Sequence, residues 1–188
     1  MCSSGSPLSP HLLPLSAGPG GPMRTSVDVH NYLQGIEMPH EIFLLERPAK
    51  TAERAAALLG LHPSEIVKVV VFMVDDKPLA VLLPGNRRVN YARLKKHAGT
   101  KNVRLASHAE LLELTDYPIG ATPPVALKED VPVCLDEALE RAEILYTAAG
   151  ELNAILKVRC RDLVSNLGAK LAPLCKEQAE AEASPPPS

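Results

Sequence analysis

A long apolar run near the middle of the chain carries one charged residue. The run reads Ile66-Val67-Lys68-Val69-Val70-Val71-Phe72-Met73, and its β-branched side chains predict a strand that is buried on both faces. Because side chains alternate along a strand, Lys68 shares a face with Val70 and Phe72. Its ammonium either meets a carboxylate, an anion or a wet cleft, or it lies near a strand end with its stem packed and its head in water.

The rest of the chain alternates short helices and short strands. Ser26, Thr51, Asn90 and Ser107 can each cap a helix, and Gly168 can end a last one. Strands are predicted at residues 41–45, 67–74, 79–83, 102–105, 131–135, 144–147 and 154–158. Turn residues at 75–78 favour a hairpin between the second and third of these. The predicted fold class is α+β, a single domain with a mixed, largely antiparallel β-sheet flanked by helices.

Composition and the two ends of the chain set the domain limits. With 188 residues, 46% hydrophobic and 22% charged, the chain has enough apolar material for one core. We expect a domain over residues 23–175, a disordered extension over 1–22, and a disordered acidic, Pro-rich tail over 176–188. The sequence shows no signal or transit peptide and no apolar stretch of about 18 residues, which predicts a cytoplasmic protein without membrane contact.

Standard catalytic and metal-binding motifs are missing from the sequence. The six histidines lack ligand spacing, and the four cysteines form no C-x-x-C pair, so we expect neither a metal nor another cofactor. Aromatic residues make up only 3% of the chain, which argues against recognition by base stacking. A site built on two carboxylates stays open, although nothing in the pattern favours it.

Residues 77–109 contain no Asp or Glu but many basic side chains. The basic residues are Lys77, Arg87, Arg88, Arg93, Lys95, Lys96, Lys101 and Arg104. A one-sided segment of this kind can bind a polyanion through counterion release, and it can equally be an ordinary solvated surface. The charge pattern alone does not choose between the two.

Four blocks of sequence point to a known family by their order and spacing. They are Thr51-Ala52-Glu53-Arg54-Ala55-Ala56 before Leu59-Gly60, Ile66-Val67-Lys68, Leu83-Pro84-Gly85-Asn86-Arg87-Arg88-Val89-Asn90, and Tyr117-Pro118-Ile119-Gly120-Ala121-Thr122-Pro123-Pro124. Together they resemble the YbaK family of prolyl-tRNA synthetase-associated editing domains. The resemblance extends from about Arg24 to about Leu174.

The resemblance implies a trans-acting deacylase that hydrolyses the ester of a mischarged tRNA, of the tRNA-Pro type, without a metal. Lys68 and Gly120 would be the catalytic residues: Lys68 would hold the 3′-terminal nucleotide, and N–H groups of the Gly120 loop would polarise the ester carbonyl. The implied substrate-binding residues are Thr51, Ala121, Thr122, Pro123 and Asn153. The implied tRNA-binding residues, facing the acceptor stem, are Arg87, Arg88, Arg93, Lys95, Lys96 and Lys101. Aminoacyl-tRNA is thus the expected partner, and an aminoacyl-tRNA synthetase is a further candidate.

The chain departs from the family pattern at several positions. Ala121 and Ala126 stand where the family's loop commonly has glycines, which predicts a stiffer loop. Residues 154–156 lack the polar pocket residue of some members, which predicts discrimination of amino acids by size. The alternative function is a non-catalytic module of the same fold that binds tRNA or a synthetase.

Overall fold

The apolar runs of the sequence become the strands of one mixed sheet. The computed structural model describes residues 23–128 and 131–176, so the predicted extension over 1–22 and nearly all of the predicted tail lie outside the described residues. The helices are α1 Ser26–Gly35, α2 Ala52–Leu59, α3 Tyr91–Ala98, α4 His108–Thr115 and α5 Cys160–Leu167. The strands are β1 His40–Leu44, β2 Ile66–Val74, β3 Lys77–Pro84, β4 Val103–Leu105, β5 Val133–Asp136, β6 Ile144–Ala148, β7 Ala154–Arg159 and β8 Lys170–Ala172.

The sheet has the order β1-β7-β6-β2-β3-β5-β8, and β4 pairs with β2 beside this path. The β1–β7, β6–β7, β2–β3 and β2–β4 pairs are antiparallel. The β2–β6, β3–β5 and β5–β8 pairs are parallel. The prediction of a single domain with a mixed sheet flanked by helices is therefore confirmed.

The β2–β3 hairpin fixes the position of Lys68. Asp75 and Asp76 form its two-residue turn with φ angles of +46° and +62°, as a turn that matches the twist of the strands requires. The pairing begins at Val74 and Lys77, so β3 starts two residues before the predicted limit. Lys68 pairs with Leu83 near the opposite end of the hairpin, which puts the ammonium close to the end of the sheet.

Both faces of β2 are covered, as the apolar run predicts. On one face Ile66 packs with Ala55 and Ala56 of α2, and Phe72 packs with Leu94 of α3. On the opposite face Val67 belongs to the largest core cluster, which includes residues of α1 and α5, and Val71 packs with Leu111 of α4. Since Lys68 lies between Ile66 and Phe72 on the first face, it emerges in the gap between the α2 and α3 clusters.

Most of the predicted helix caps are correct. Thr51, Asn90 and Ser107 each accept a backbone N–H of the first turn that follows. The prediction for α1 is wrong by one residue, because Thr25 is the N-cap. The Ser26 N–H and hydroxyl instead donate to the Glu151 carboxylate, a long-range partner that the local sequence does not reveal.

Two further findings complete the fold. The three-residue strand β8 was not predicted, because a short segment that ends at a proline carries almost no pattern. Within residues 23–128 and 131–176, no helix is long and apolar enough to cross a membrane.

Candidate functional site

Lys68 is a half-buried lysine whose ammonium points at a backbone carbonyl. Its Nζ donates to the Gly85 oxygen at 3.1 Å, and no described residue forms an ion pair with it. Burial lowers the pKa of Lys68 below its ordinary value, with an opposing effect from the Glu53 carboxylate and a smaller lowering by the Arg88 charge. Lys68 thus lies near a strand end and has no ion pair among the described residues, a geometry that agrees with both alternatives from the sequence.

Gly85 is glycine because two other segments approach its Cα closely. A Cβ built there would lie 2.5 Å from the Ala52 Cβ and 2.6 Å from the Pro63 oxygen. Its N–H donates to the Ile66 oxygen at 2.7 Å, which ties the end of β3 to the start of β2. The next residue, Asn86, has a buried Oδ1 without a donor among the described residues. This tight loop holds the carbonyl that Lys68 contacts.

Helix α2 brings Thr51 and Glu53 to the same end of the sheet. The Thr51 Oγ accepts the Arg54 N–H at 3.2 Å, and Gly60 ends the helix with a φ of +68°. Its small residues Ala55 and Ala56 are buried, so the helix lies close to the sheet. The Thr51 hydroxyl keeps its own proton available for a ligand, because its cap hydrogen bond uses only the oxygen as an acceptor.

The Gly120 loop follows α4 and has a fixed conformation. Gly120 has a φ of +80°, and a Cβ there would lie 3.1 Å from the Lys50 oxygen. The Ala121 N–H donates to the Pro118 oxygen at 3.1 Å, and the Ala121 oxygen accepts the Gly150 N–H at 2.9 Å. Among the described residues, no acceptor is found for the Gly120 or Thr122 N–H. The Ala121 N–H is thus bound within the loop, in contrast to these two groups.

Residues after Gly120 support the loop from inside. Three of the predicted substrate-binding residues are buried, namely Ala121, Thr122 and Pro123. Their side chains therefore lie beneath the loop. Ala126 has a φ of +55°, a left-handed conformation that favours glycine. The backbone at Ala126 thus has a glycine-like conformation, at a position where the family commonly has glycine. Asn153 is half-buried, and its carbonyl accepts the Leu45 N–H at 2.6 Å.

Residues 49–51 join the Lys68 and Gly120 regions. The Ala49 N–H donates to the Leu152 oxygen at 2.6 Å, which positions the segment on the β6–β7 turn. Lys50 then contacts Gly120 through its carbonyl, and Thr51 begins the helix that carries Glu53 towards Lys68. The two predicted catalytic residues therefore flank the N-terminal end of α2.

The predicted tRNA-binding residues differ in how far their side chains are exposed. Arg88, Lys96 and Lys101 are exposed, and Arg87 and Lys95 are half-buried. Arg93 instead packs inward, with its Nη1 donating to the Cys175 oxygen at 3.0 Å. Arg104 is another basic residue of the segment 77–109 that contains no Asp or Glu. Its guanidinium donates to both oxygens of Glu110, at 2.7 and 2.8 Å.

Other chemically suggestive groups lie away from Lys68. Two clefts of about 400 and 570 Å³ are lined by residues around Cys160 and around the His30–His40 pair, and neither is lined by Lys68 or Gly120. Burial raises the pKa of the Cys134 thiol to about 11 and that of Cys175 to about 12. In the described part of the chain, no cluster of three or more His, Cys, Asp or Glu side chains could hold a metal.

One structural feature of the site was not found by sequence reasoning. Asp136 is 1% exposed and accepts the N–H groups of Leu174 and Cys175, which run beside the Gly85 loop. The sequence signal is weak, since an aspartate after a short strand predicts only a local cap. Asp136 does form such a cap with the Ala138 N–H, but its second oxygen reaches a segment 38 residues away.

Comparison with known families identifies the class of protein. The family model of the aminoacyl-tRNA editing domain matches residues 46–165, which is more than half of the chain. The chain therefore belongs to the aminoacyl-tRNA editing domain family. The matched region includes Lys68, the Gly85 loop and the Gly120 loop.

Its relatives connect this domain to prolyl-tRNA synthesis. The chain is 40% identical over 109 residues to the proline–tRNA ligase of Desulfovibrio desulfuricans, covering 58% of this chain and 19% of the ligase. The proline–tRNA ligase of Streptococcus mutans is 30% identical over 122 residues, covering 65% of this chain and 18% of the ligase. The chain thus spans about a fifth of the length of these curated relatives.

Solved structures of similar size share the whole fold. The crystal structure of a hypothetical protein matches with a TM-score of 0.76 and 35% identity, covering 79% of this chain and 99% of the other. A structure provisionally described as a trans-editing enzyme for prolyl tRNA synthetase matches with a TM-score of 0.74 and 26% identity, covering 81% and 97%. The prediction of a prolyl-tRNA synthetase-associated editing domain is confirmed.

Proposed function

We propose that the protein is a trans-acting deacylase that hydrolyses the ester of a mischarged tRNA of the tRNA-Pro type. The observation that carries this proposal is Lys68, a half-buried ammonium with a neutral carbonyl as its hydrogen-bond partner. An ammonium has three donors, so two remain for the 3′-terminal nucleotide of the substrate. The Glu53 carboxylate raises the pKa of Lys68 but forms no ion pair with it in the described structure, so the anionic RNA would supply a direct counter-charge.

Gly120 and Thr122 would stabilise the developing oxyanion in this reaction. Their N–H groups lack acceptors in the described structure, and the loop is held by its contacts to residues 118 and 150. Fixed donors of this kind stabilise charge without reorganising during the reaction, and the loss of one costs roughly 100- to 1,000-fold in rate. Ala121 contributes its backbone geometry and not its N–H, since that group is bound to Pro118.

The attacking group would be water or a hydroxyl of the substrate. Cys134 and Cys175 are neutral thiols at physiological pH, because burial raises their pKa values to about 11 and about 12. An aminoacyl ester is already activated, so positioning of its carbonyl and its terminal ribose supplies much of the needed rate. The Thr51 hydroxyl, at the start of α2, would contact that ribose.

Recognition of the tRNA would use the exposed basic residues. The charge of the exposed Arg88 acts on Lys68, and Lys96 and Lys101 continue the positive charge along α3 and the turn after it. This arrangement fits an acceptor stem whose 3′ end reaches Lys68. The likeness to a trans-editing enzyme supports action on charged tRNA in the cytoplasm, and residues 23–175 would be the unit that performs it.

The alternative, a non-catalytic module that binds tRNA or a synthetase, rests on the two alanines in the loop. Ala126 nevertheless has a left-handed backbone, the conformation that glycine favours, and this supports the enzyme. The size-based selection expected from the sequence also agrees with Ala154, Ile155 and Leu156, which are all buried apolar residues.

The test is a set of tRNA-Pro species charged with amino acids smaller than, similar to and larger than proline. The full chain is incubated with each, and the remaining ester is measured over time. Hydrolysis of at least one species well above the buffer rate supports the deacylase. Tight binding without hydrolysis of any species would identify the binding module instead.

A further inference from the structure

A short segment, residues 174–176, pairs with the loop whose Gly85 carbonyl binds Lys68, and we call this segment the strap. The strap lies antiparallel to the loop after Gly85, with a bridge between Val89 and Cys175. The Asn90 N–H donates to the Leu174 oxygen at 2.7 Å, and the Lys176 N–H donates to the Arg88 oxygen at 3.0 Å. The family match ends at residue 165, so the strap lies outside the region that the family model describes.

A buried carboxylate holds the strap in place. Asp136 is 1% exposed, and its Oδ2 accepts the Leu174 and Cys175 N–H groups at 2.8 and 2.7 Å. Its Oδ1 accepts the Ala138 N–H at 3.0 Å. Among the described residues no cation pairs with Asp136, so its oxygens are satisfied by backbone N–H groups and by the side chain of Cys175.

The strap connects Asp136 to Lys68. The Cys175 N–H donates to Asp136, and Cys175 pairs with Val89 in the loop that begins at Gly85, whose carbonyl accepts the Lys68 ammonium. The strap also holds the backbone of Arg88, whose charge acts on Lys68, and of Asn90, which caps the basic helix α3. A shift of the strap would therefore change the burial of the ammonium and the position of the basic residues together.

We propose that Asp136 is a positioning residue of the Lys68 site, which fixes the strap against residues 88–90 and thereby sets the surroundings of the Lys68 ammonium. Asp136 touches no substrate in this role and acts only through the strap. The inference rests on the proposed function and extends it. It names Asp136 as a residue that touches no reacting group but on which the deacylation rate depends. A variant that lacks the Asp136 carboxylate should therefore have an impaired Lys68 site even when it folds.

The test compares Asp136→Asn and Asp136→Ala with Leu163→Val, a control that shortens a fully buried side chain in α5, on the opposite face of the sheet. Asn keeps one oxygen acceptor and Ala keeps none, so the effects should rise in that order. Both Asp136 variants should lower the melting temperature by about 5–10 °C and retain the native circular dichroism. If Asp136→Ala fails to fold, Asp136→Asn carries the comparison.

Two measurements separate positioning from general destabilisation. The first is the pH dependence of Lys68 acylation by a small N-hydroxysuccinimide ester, followed by peptide mass spectrometry. Release of the strap exposes the ammonium, so the apparent pKa of Lys68 should rise in the Asp136 variants and stay unchanged in Leu163→Val. The second is deacylation, where kcat/KM should fall roughly 10- to 100-fold in Asp136→Ala and stay within about twofold in the control.

The outcomes distinguish this proposal from the proposed function. Folded Asp136 variants with the wild-type titration of Lys68 would overturn the positioning role, whatever the catalytic activity. If the wild type hydrolyses no charged tRNA, the proposed function fails, but the Lys68 titration still decides whether Asp136 positions the site. An equal shift in Leu163→Val would also overturn the proposal, because the effect would then follow stability alone.

Discussion

Lys68 Nζ donates a hydrogen bond to the Gly85 oxygen at 3.1 Å, and this contact joins the start of β2 to the loop that follows β3. The carbonyl can occupy that position only because Gly85 lacks a side chain, since Ala52 and Pro63 fill the space where a Cβ would project. The absence of a side chain at Gly85 thus determines where the ammonium of Lys68 is held.

Gly85→Ala should lower both stability and activity. The added Cβ would overlap the Ala52 Cβ and the Pro63 oxygen, so the loop must shift, at a cost of about 1–3 kcal/mol in the free energy of unfolding. Gly35→Ala is the control, because nothing lies within 4 Å of its Cβ and alanine stabilises a helix by about 0.5–1 kcal/mol. Urea denaturation measures both, and an unchanged Gly85→Ala would contradict the close packing.

Gly120→Ala should reduce deacylation more than its effect on stability explains. The residue has a φ of +80°, and its new Cβ would press on the Lys50 oxygen at 3.1 Å, moving the N–H donors of the loop. Gly99→Ala has a similar φ of +72° with no atom within 4 Å, so it introduces comparable strain of about 1–2 kcal/mol far from the loop. We expect a rate loss of roughly 100-fold for Gly120→Ala alone; equal rates in the two variants would exclude the loop from catalysis.

Lys68→Met should make the protein more stable at pH 7. The pKa of Lys68 is lowered by burial in the folded protein, so its charged form opposes folding below that pKa. As the pH rises through the lowered pKa towards the ordinary value of 10.5, the unfolded chain binds more protons and the wild type gains stability. The advantage of Lys68→Met in melting temperature should therefore shrink over that range.

The control for this measurement is Lys77→Met, at the exposed turn end of the same hairpin. Its stability should stay within about 0.5 kcal/mol of the wild type at each pH. A Lys68→Met variant that is less stable than the wild type at pH 7 would show that the ammonium stabilises the fold, contrary to its proposed role as a binding group.

Arg88→Ala and Lys96→Ala should each weaken tRNA binding by a similar amount for every tRNA. Removing one phosphate contact should also reduce the slope of log affinity against log salt by about 0.7–0.9. Arg104→Ala should leave affinity and slope unchanged, because Glu110 already binds both ends of its guanidinium. Fluorescence anisotropy over a series of KCl concentrations tests the difference; equal losses in all variants would argue against the proposed surface.

The sequence predicted the features that depend on neighbouring residues. The caps at Thr51, Asn90 and Ser107 and the turn at Asp75 were predicted correctly because each depends on groups within a few residues. The central strand was also predicted, since its apolar run is long and uninterrupted except at Lys68. The resemblance then supplied the family, which the comparisons confirm.

Long-range contacts account for what the sequence did not reveal. Asp136 reaches the strap across 38 residues, and Ser26 is bound by Glu151 across 125. Gly85 lies in a turn closed by the Arg87 N–H and the Pro84 oxygen, but its φ is not positive, so the close approach of Ala52 and Pro63 explains the glycine. The roles of Lys68 and Gly120 in a reaction stay predictions, which the variants above examine.

Deacylation by Lys68→Ala and Lys77→Ala, measured beside the wild type on the best charged tRNA-Pro, tests the central claim most directly. Lys77→Ala removes a lysine of the same hairpin at its far end, so it controls for the loss of one positive charge. The account predicts that Lys68→Ala loses at least about 100-fold in rate while folding normally, and that Lys77→Ala keeps the wild-type rate. Wild-type turnover by Lys68→Ala would contradict the site proposed for this protein.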